Sequence, residues 1–159
     1  MGWEPRSLSW FHERLYRSKN LARINVATYV QDLVNNLVRF YTTARSSIQV
    51  TLELLELELD LDRAVPCGLI INELVSNAFK YAFPEQKGEL YLRFGLEDTG
   101  TYCLIVKDDG IGIPDHIEPQ STDSLGMQLV YGLTEQLGGE IELNRQEGSQ
   151  FKITFRKMP

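Results

Sequence analysis

The chain has 159 residues, 43% of them apolar and 24% charged, which is enough for one domain with a sizeable core and is ordinary for a globular protein. A net charge of −6 without a dense Lys/Arg cluster excludes a nucleic-acid surface, so no nucleic-acid partner is expected. Cys67 and Cys103 sit in apolar runs without CxxC spacing and read as small core residues rather than a metal or redox site. No run approaches ~18 apolar residues and the first ten lack a signal-peptide pattern, so the expectation is a soluble, cytoplasmic chain without direct membrane contact.

Taken in order, residues 8–17 place Trp10, Phe11, Leu15 and Tyr16 at helix-like spacing behind Ser7 or Ser9. Exposed aromatic groups so near the start suggest a fragment whose missing partner covers them. Over 26–41 the set Val26, Tyr29, Val30, Leu33, Val34, Leu37 and Tyr41 keeps the helical period, with Asn25 as its cap. Ile48, Val50, Leu52 and Leu54 alternate with polar residues, the period of a half-buried strand. Leu55, Leu57, Leu59 and Leu61 continue with opposite parity, so a bulge, loop or strand end must fall near Leu54 and Leu55.

The next helix is expected to start at Asp62 as cap, with Pro66 in its first turn, and to run to about Ala82 before Phe83-Pro84 ends it. Its central stretch, 72–81, reads Asn-Glu-Leu-Val-Ser-Asn-Ala-Phe-Lys-Tyr. Ile71, Leu74, Val75, Ala78, Phe79 and Ala82 form the packing side. At roughly 100° per residue, Glu73, Asn77, Lys80 and Tyr81 fall within an arc of about 100° on the other side. A carboxylate, an amide oxygen, an ammonium and a phenol in one strip suit a magnesium-phosphate group, although any surface helix has a polar face.

Gly88 opens a hairpin with strands over 89–96 and 101–107 and a turn at 97–100. Tyr102, Leu104 and Val106 share one side of the second strand, and Asp108 follows on the same parity, a carboxylate at the mouth of the core. Asp108-Asp109-Gly110-Ile111-Gly112 lets the backbone turn sharply and approach a ligand, or forms an ordinary turn. The aperiodic segment 113–125 is expected to be a mobile surface loop, with His116 exposed on it. Gly126 opens a helix to about Leu137, whose first backbone N–H groups make an anion site. Strands over 140–144 and 149–156 close the chain around a turn at 146–148.

The ordered set, an N-type helix, a strand ending in DxGxG, a loop, a helix opening at Gly126-Met127 and a hairpin with Gly148-Ser149-Gln150-Phe151, resembles the GHKL or Bergerat-fold ATPases. Within them it is most similar to the ATP-binding domain of two-component sensor histidine kinases, over about residues 48–155. Residues 72–81 look like the N box, 108–112 and 124–129 the first two glycine boxes, and 148–151 a third. His12-Glu13-Arg14-Leu15-Tyr16, Leu21-Ala22, Ala64-Val65-Pro66 and Tyr81-Ala82-Phe83-Pro84 resemble the kinases with the second type of dimerisation domain, near the HWE group.

That resemblance implies an α+β, two-layer sandwich, a mixed and mostly antiparallel sheet with helices on one face. It divides the chain into 1–20, the tail of a dimerisation helix region, and 21–159, the ATPase domain, and gives His12 a structural place. Asp108 would accept from the adenine amino group, Asn77 would ligate Mg²⁺, and Glu73 would be the base or polariser for the attacking nucleophile. Lys80 would meet phosphate and Tyr81 would pack beside the nucleotide. Gly110 and Gly112 would let the backbone pass base and ribose, Gly126 and Met127 would offer donors to phosphates, and Ser149 would support the adenine pocket. The lid, 113–125, is short and has no counterpart of the Phe-containing box of many relatives. The implied partners are the dimerisation and phosphoacceptor domain, which takes the γ-phosphate of ATP on a histidine, and a response regulator. A serine kinase of the anti-sigma type and a non-catalytic nucleotide-sensing module share the fold.

Overall fold

A computed structural model describes residues 22–121 and 124–157; the helix expected over 8–17, with His12, lies outside them. The elements are β1 (Arg23–Asn25), α1 (Val26–Tyr41), β2 (Ser47–Leu54), β3 (Glu58–Asp60), α2 (Leu61–Asn77) continued by a π turn (Ala78–Ala82), β4 (Lys87–Asp98), β5 (Thr101–Asp108), a 3₁₀ turn (Pro119–Ser121), α3 (Leu125–Gln136), β6 (Glu140–Asn144) and β7 (Ser149–Arg156).

α1 starts where expected because the Asn25 Oδ1 accepts from the Thr28 N–H at 3.0 Å, satisfying an otherwise orphaned donor. Val26, Val30 and Val34, one turn apart, are buried to 2% exposure or less, and this stripe packs on α2. At the other end Thr42 N and Oγ1 both bond to the Val38 carbonyl.

Two sheets account for the change of parity near Leu54. β2 belongs to a five-stranded sheet of order β2-β4-β5-β7-β6, parallel between β2 and β4 and antiparallel elsewhere. The Leu55 N–H bonds once more to the Phe94 carbonyl, then the chain leaves and β3 pairs with β1 as a separate two-stranded sheet. Leu59 thereby enters the core from the second sheet.

The cap of α2 is Asp60, not Asp62: the Asp60 Oδ1 accepts from the Arg63 N–H at 3.2 Å. Asp60 ends β3 in extended geometry, so its side chain faces the incoming turn, while Asp62 already lies inside the helix. Pro66 is consequently the sixth helical residue, in the second turn, and removes one intrahelical hydrogen bond. Nor does the α-helix reach Ala82: the Ala78 N–H reaches both the Leu74 and Val75 carbonyls, and the last turn widens to π geometry.

In the large sheet the side chains of one face form rungs across the strands. Leu54, Phe94, Leu104, Ile153 and Ile141 make one rung, and Leu52, Leu92, Val106, Phe151 and Leu143 the next. The rung beyond is Val50, Leu90, Asp108 and Ser149. The helices cover this face, with α1 touching β2, α2 touching β5 and α3 touching β6, while the opposite face carries Gln49, Thr51, Glu53, Lys107 and Glu142. The expected two-layer α+β sandwich is what forms. Both cysteines are buried and unpaired, and no helix among the described residues is long and apolar enough to cross a membrane.

Candidate functional site

The third rung is where the apolar surface turns polar, and it ends in a cleft. Asp108 and Ser149 are direct partners in the β5–β7 register, so both side chains point to the helix side at the same level. Asp108 is 6% exposed, and no ion pair meets it among the described residues. Its Oδ2 accepts from Ser149 Oγ at 2.7 Å and its Oδ1 from the Gly110 N–H at 2.9 Å. An ionised carboxylate offers about four lone-pair sites, so two neutral donors leave acceptor capacity unused. A buried negative charge with spare capacity on a cleft wall is positioned to receive a further donor from a ligand.

That cleft has a volume of about 460 Å³, within the ~300–1,000 Å³ of small-molecule sites. Its walls are Leu74, Asn77, Ala78, Tyr81 and Ala82 from α2 and its π turn, Ile111, Gly112, Ile113, Pro114 and Ile117 from the loop after β5, and Met127, Val106 and Phe151. They are mostly apolar, with Asp108, Ser149, Asn77 and Ser124 as the polar points. Asn77 and Asp108, 31 positions apart by number, thus line one cavity from opposite elements.

The predicted residues fall into three groups. Asn77, Tyr81, Asp108, Gly112, Met127 and Ser149 line the cleft directly. Glu73 lies beside it against the start of α3, where a Cβ on Gly126 would come within 2.3 Å of its Oε2, so a side chain there would push the carboxylate aside. A carboxylate there is favoured by the helix dipole. Lys80 is exposed and outside the lining, and Gly110 serves packing: a Cβ there would sit 2.2 Å from the Ala82 carbonyl oxygen, and the next residue's N–H, Ile111, bonds to that same oxygen at 3.0 Å.

Helix α3 is capped by Ser124, whose Oγ accepts from the Met127 N–H at 3.4 Å, a long bond. The Asn77 Nδ2 donates to the Met127 sulfur at 3.4 Å, which leaves its Oδ1 for another partner. His116 is exposed on the loop. Sequence reasoning gave Gly148 no separate role. Its φ is +100°, and a Cβ would meet the Asp108 carbonyl oxygen at 2.1 Å, so this glycine lets β7 begin close enough to place Ser149 beside Asp108. Its signal was the position directly before Ser149.

Comparison with known proteins fits this geometry. The family model for histidine kinase-, DNA gyrase B- and HSP90-like ATPases matches residues 62–159, and the chain belongs to that family, as a histidine-kinase type of ATP-binding domain. A second histidine-kinase model, of the dimerisation type found in HWE-related kinases, matches residues 6–41, whose described part includes β1 and α1.

Among relatives, blue-light-activated histidine kinase 2 of Erythrobacter litoralis is 28% identical over 102 residues, covering 64% of this chain and 30% of that protein. The sensor histidine kinase PdtaS of Mycobacterium tuberculosis is 34% identical over 95 residues, covering 57% and 19%. The chain therefore spans less than a third of these relatives' length. The histidine kinase domain of the Erythrobacter litoralis EL346 blue-light activated kinase superposes with a TM-score of 0.78 at 23% identity, covering 89% of this chain and 69% of that one. The catalytic domain of histidine kinase ThkA gives 0.68 at 18%, covering 87% and 97%. These two likenesses show the fold.

Proposed function

We propose that this chain is the catalytic, ATP-binding part of a two-component sensor histidine kinase, which donates the γ-phosphate of ATP to a histidine on a dimerisation domain, from which a response-regulator aspartate takes it. In this reading 1–20 are the tail of the dimerisation helices, 21–159 are the ATPase domain, and the protein works in the cytoplasm. The carrying observation is Asp108, a buried carboxylate with unused acceptor capacity in the wall of an apolar cleft. The amino group of adenine is a donor of the right kind for it, and Ser149 holds the carboxylate in place.

Asn77 and, from the start of α3, Ser124 and Met127 line the same cleft, and in this reading the phosphates would lie beside them. Among the described residues no group of three or more His, Cys, Asp or Glu could hold a metal, so the protein offers no complete cage. That fits Mg²⁺, which is commonly held by one or two protein oxygens and by substrate phosphates. Asn77 Oδ1 is the available oxygen, and the ion would supply charge neutralisation there. Glu73, beside Gly126, would take the imidazole proton of the acceptor histidine as the phosphorus–nitrogen bond forms and the bond to the ADP oxygen breaks. The remaining catalytic contribution is positioning. The fragment alone is not expected to phosphorylate itself.

A thermal-unfolding series with ATP, ADP and GTP, each with and without Mg²⁺, tests the reading. Adenine nucleotides at a hundredfold excess over Kd should stabilise by about 2.7 kcal/mol, a rise of roughly 5–10 °C for a domain of this size. A GTP shift equal to that of ATP, or none with either, overturns it.

A further inference from the structure

The loop that follows β5 is fastened from outside the cleft. The Arg145 Nη1 donates to the Pro114 carbonyl at 2.5 Å, and its Nη2 lies 3.4 Å from the Glu118 Oε1. The Arg145 side chain is only 20% exposed. Pro114 also accepts from the Ile117 N–H at 3.0 Å, so the guanidinium clamps a closed turn rather than a loose strand. The platform is rigid as well: the Asn144 Oδ1 accepts from the Gln146 N–H at 2.9 Å, and Glu147 and Gly148 are fixed at positive φ. At Gly112, φ +78°, an added Cβ would sit 3.2 Å from the Gly148 carbonyl oxygen, so the loop passes close to the same turn. Tyr131 of α3 stands within the field of both Glu118 and Arg145, and its phenol is shifted up mainly by burial, then by Glu118.

Pro114 and Ile117, on the far side of this fastening, line the cleft. We propose that Arg145 is a positioning residue: a latch that holds the 114–118 turn as one wall of the cleft and so sets how long a bound nucleotide stays. The dwell-time half of the proposal rests on the nucleotide reading above, and the latch half does not. Planar, two-pronged contact to a carbonyl and a carboxylate is a task for arginine, which lysine cannot reproduce.

The test uses the 159-residue chain with R145A, R145K and the exposed-site variant E118Q, which keeps the Pro114 contact. Two quantities are read: amide hydrogen exchange across 114–118 in ligand-free protein, and the dissociation rate of a fluorescent ADP analogue with Mg²⁺. R145A should speed both by roughly tenfold, the factor carried by one charge-assisted hydrogen bond, with R145K nearly as fast and E118Q intermediate. Unchanged exchange in R145A overturns the latch, and faster exchange with an unchanged dissociation rate overturns its control of dwell time. Should R145A fail to fold, R145K decides, since it keeps the charge and loses the two-pronged contact: faster exchange supports the latch and wild-type exchange overturns it. If wild type does not bind the analogue at all, the nucleotide reading and dwell-time control fall together, and exchange alone judges the latch.

Discussion

Replacing Asp108 by Asn exchanges one carboxylate oxygen for an amide nitrogen and leaves the shape unchanged. The Gly110 N–H, at 2.9 Å from Oδ1, keeps an acceptor, and the Ser149 hydroxyl, at 2.7 Å from Oδ2, can turn and accept from the new amide. The number of hydrogen bonds is conserved, but each passes from charge-assisted to neutral, a loss of about 0.5–1.5 kcal/mol apiece. Relief of the buried charge offsets part of this, so the net destabilisation should be about 1 kcal/mol, or 2–4 °C in Tm. Binding responds differently. An adenine amino group arriving at the amide nitrogen meets a donor with a donor, which loses one bond and strands both partners, about 3–4 kcal/mol and a 10²- to 10³-fold weaker Kd. Urea unfolding and calorimetric titration with ADP measure the two quantities. An affinity within about threefold of wild type, or a stability loss beyond about 4 kcal/mol, would refute the assignment of Asp108 to the ligand rather than to the core.

Three further outcomes are expected. Glu73→Gln should slow phosphotransfer to a supplied dimerisation domain by about 10²- to 10⁴-fold while nucleotide affinity holds; an unchanged rate removes Glu73 from the chemistry. Gly110→Ala forces a Cβ to 2.2 Å from the Ala82 oxygen and strains the Ile111 bond, for a loss of about 2–4 kcal/mol, whereas Gly132→Ala, with nothing within 4 Å, should stabilise α3 by up to about 1 kcal/mol; melting curves decide both. Burial pushes the Cys67 thiol up from 9.0 to about 12, against a smaller opposing effect of Arg63. Below pH 9 the thiol is protonated in both states and its stabilisation is fully present; from pH 9 to about 12 only the unfolded chain gives up the proton, so stability falls with pH. At pH 10.5 the loss should be on the order of 2 kcal/mol, and unfolding curves of Cys67→Ala should show a correspondingly flatter alkaline slope.

Most strands and α1 were legible because one buried face imposes a strict period: Leu90, Leu92 and Phe94, or Tyr102, Leu104 and Val106, cannot be read in another phase. Asp108 stood out by the same parity. What could not be read depended on partners far away in sequence. The choice of Asp60 over Asp62 follows from where β3 stops against β1, and the one parallel pair follows from the crossover through α2 that connects β2 to β4 in the chain. Local residues in Ala78–Ala82 give no warning of the π turn, and an arc drawn at 100° per residue does not hold past Asn77, which is why Lys80 falls outside the cleft while Tyr81 stays in it. The Ser149 bond to Asp108 likewise needed the β5–β7 register, which no local pattern contains.

The Asp108–Ser149 rung gives the sheet a built-in alignment mark. A slip of one position in β5 or β7 would turn one of the two side chains outward, leaving a stable-looking hairpin with no seat for a purine. The molar amount of nucleotide taken up by a preparation would then count correctly zipped molecules, and the shortfall from one per chain would measure how often folding settles out of step.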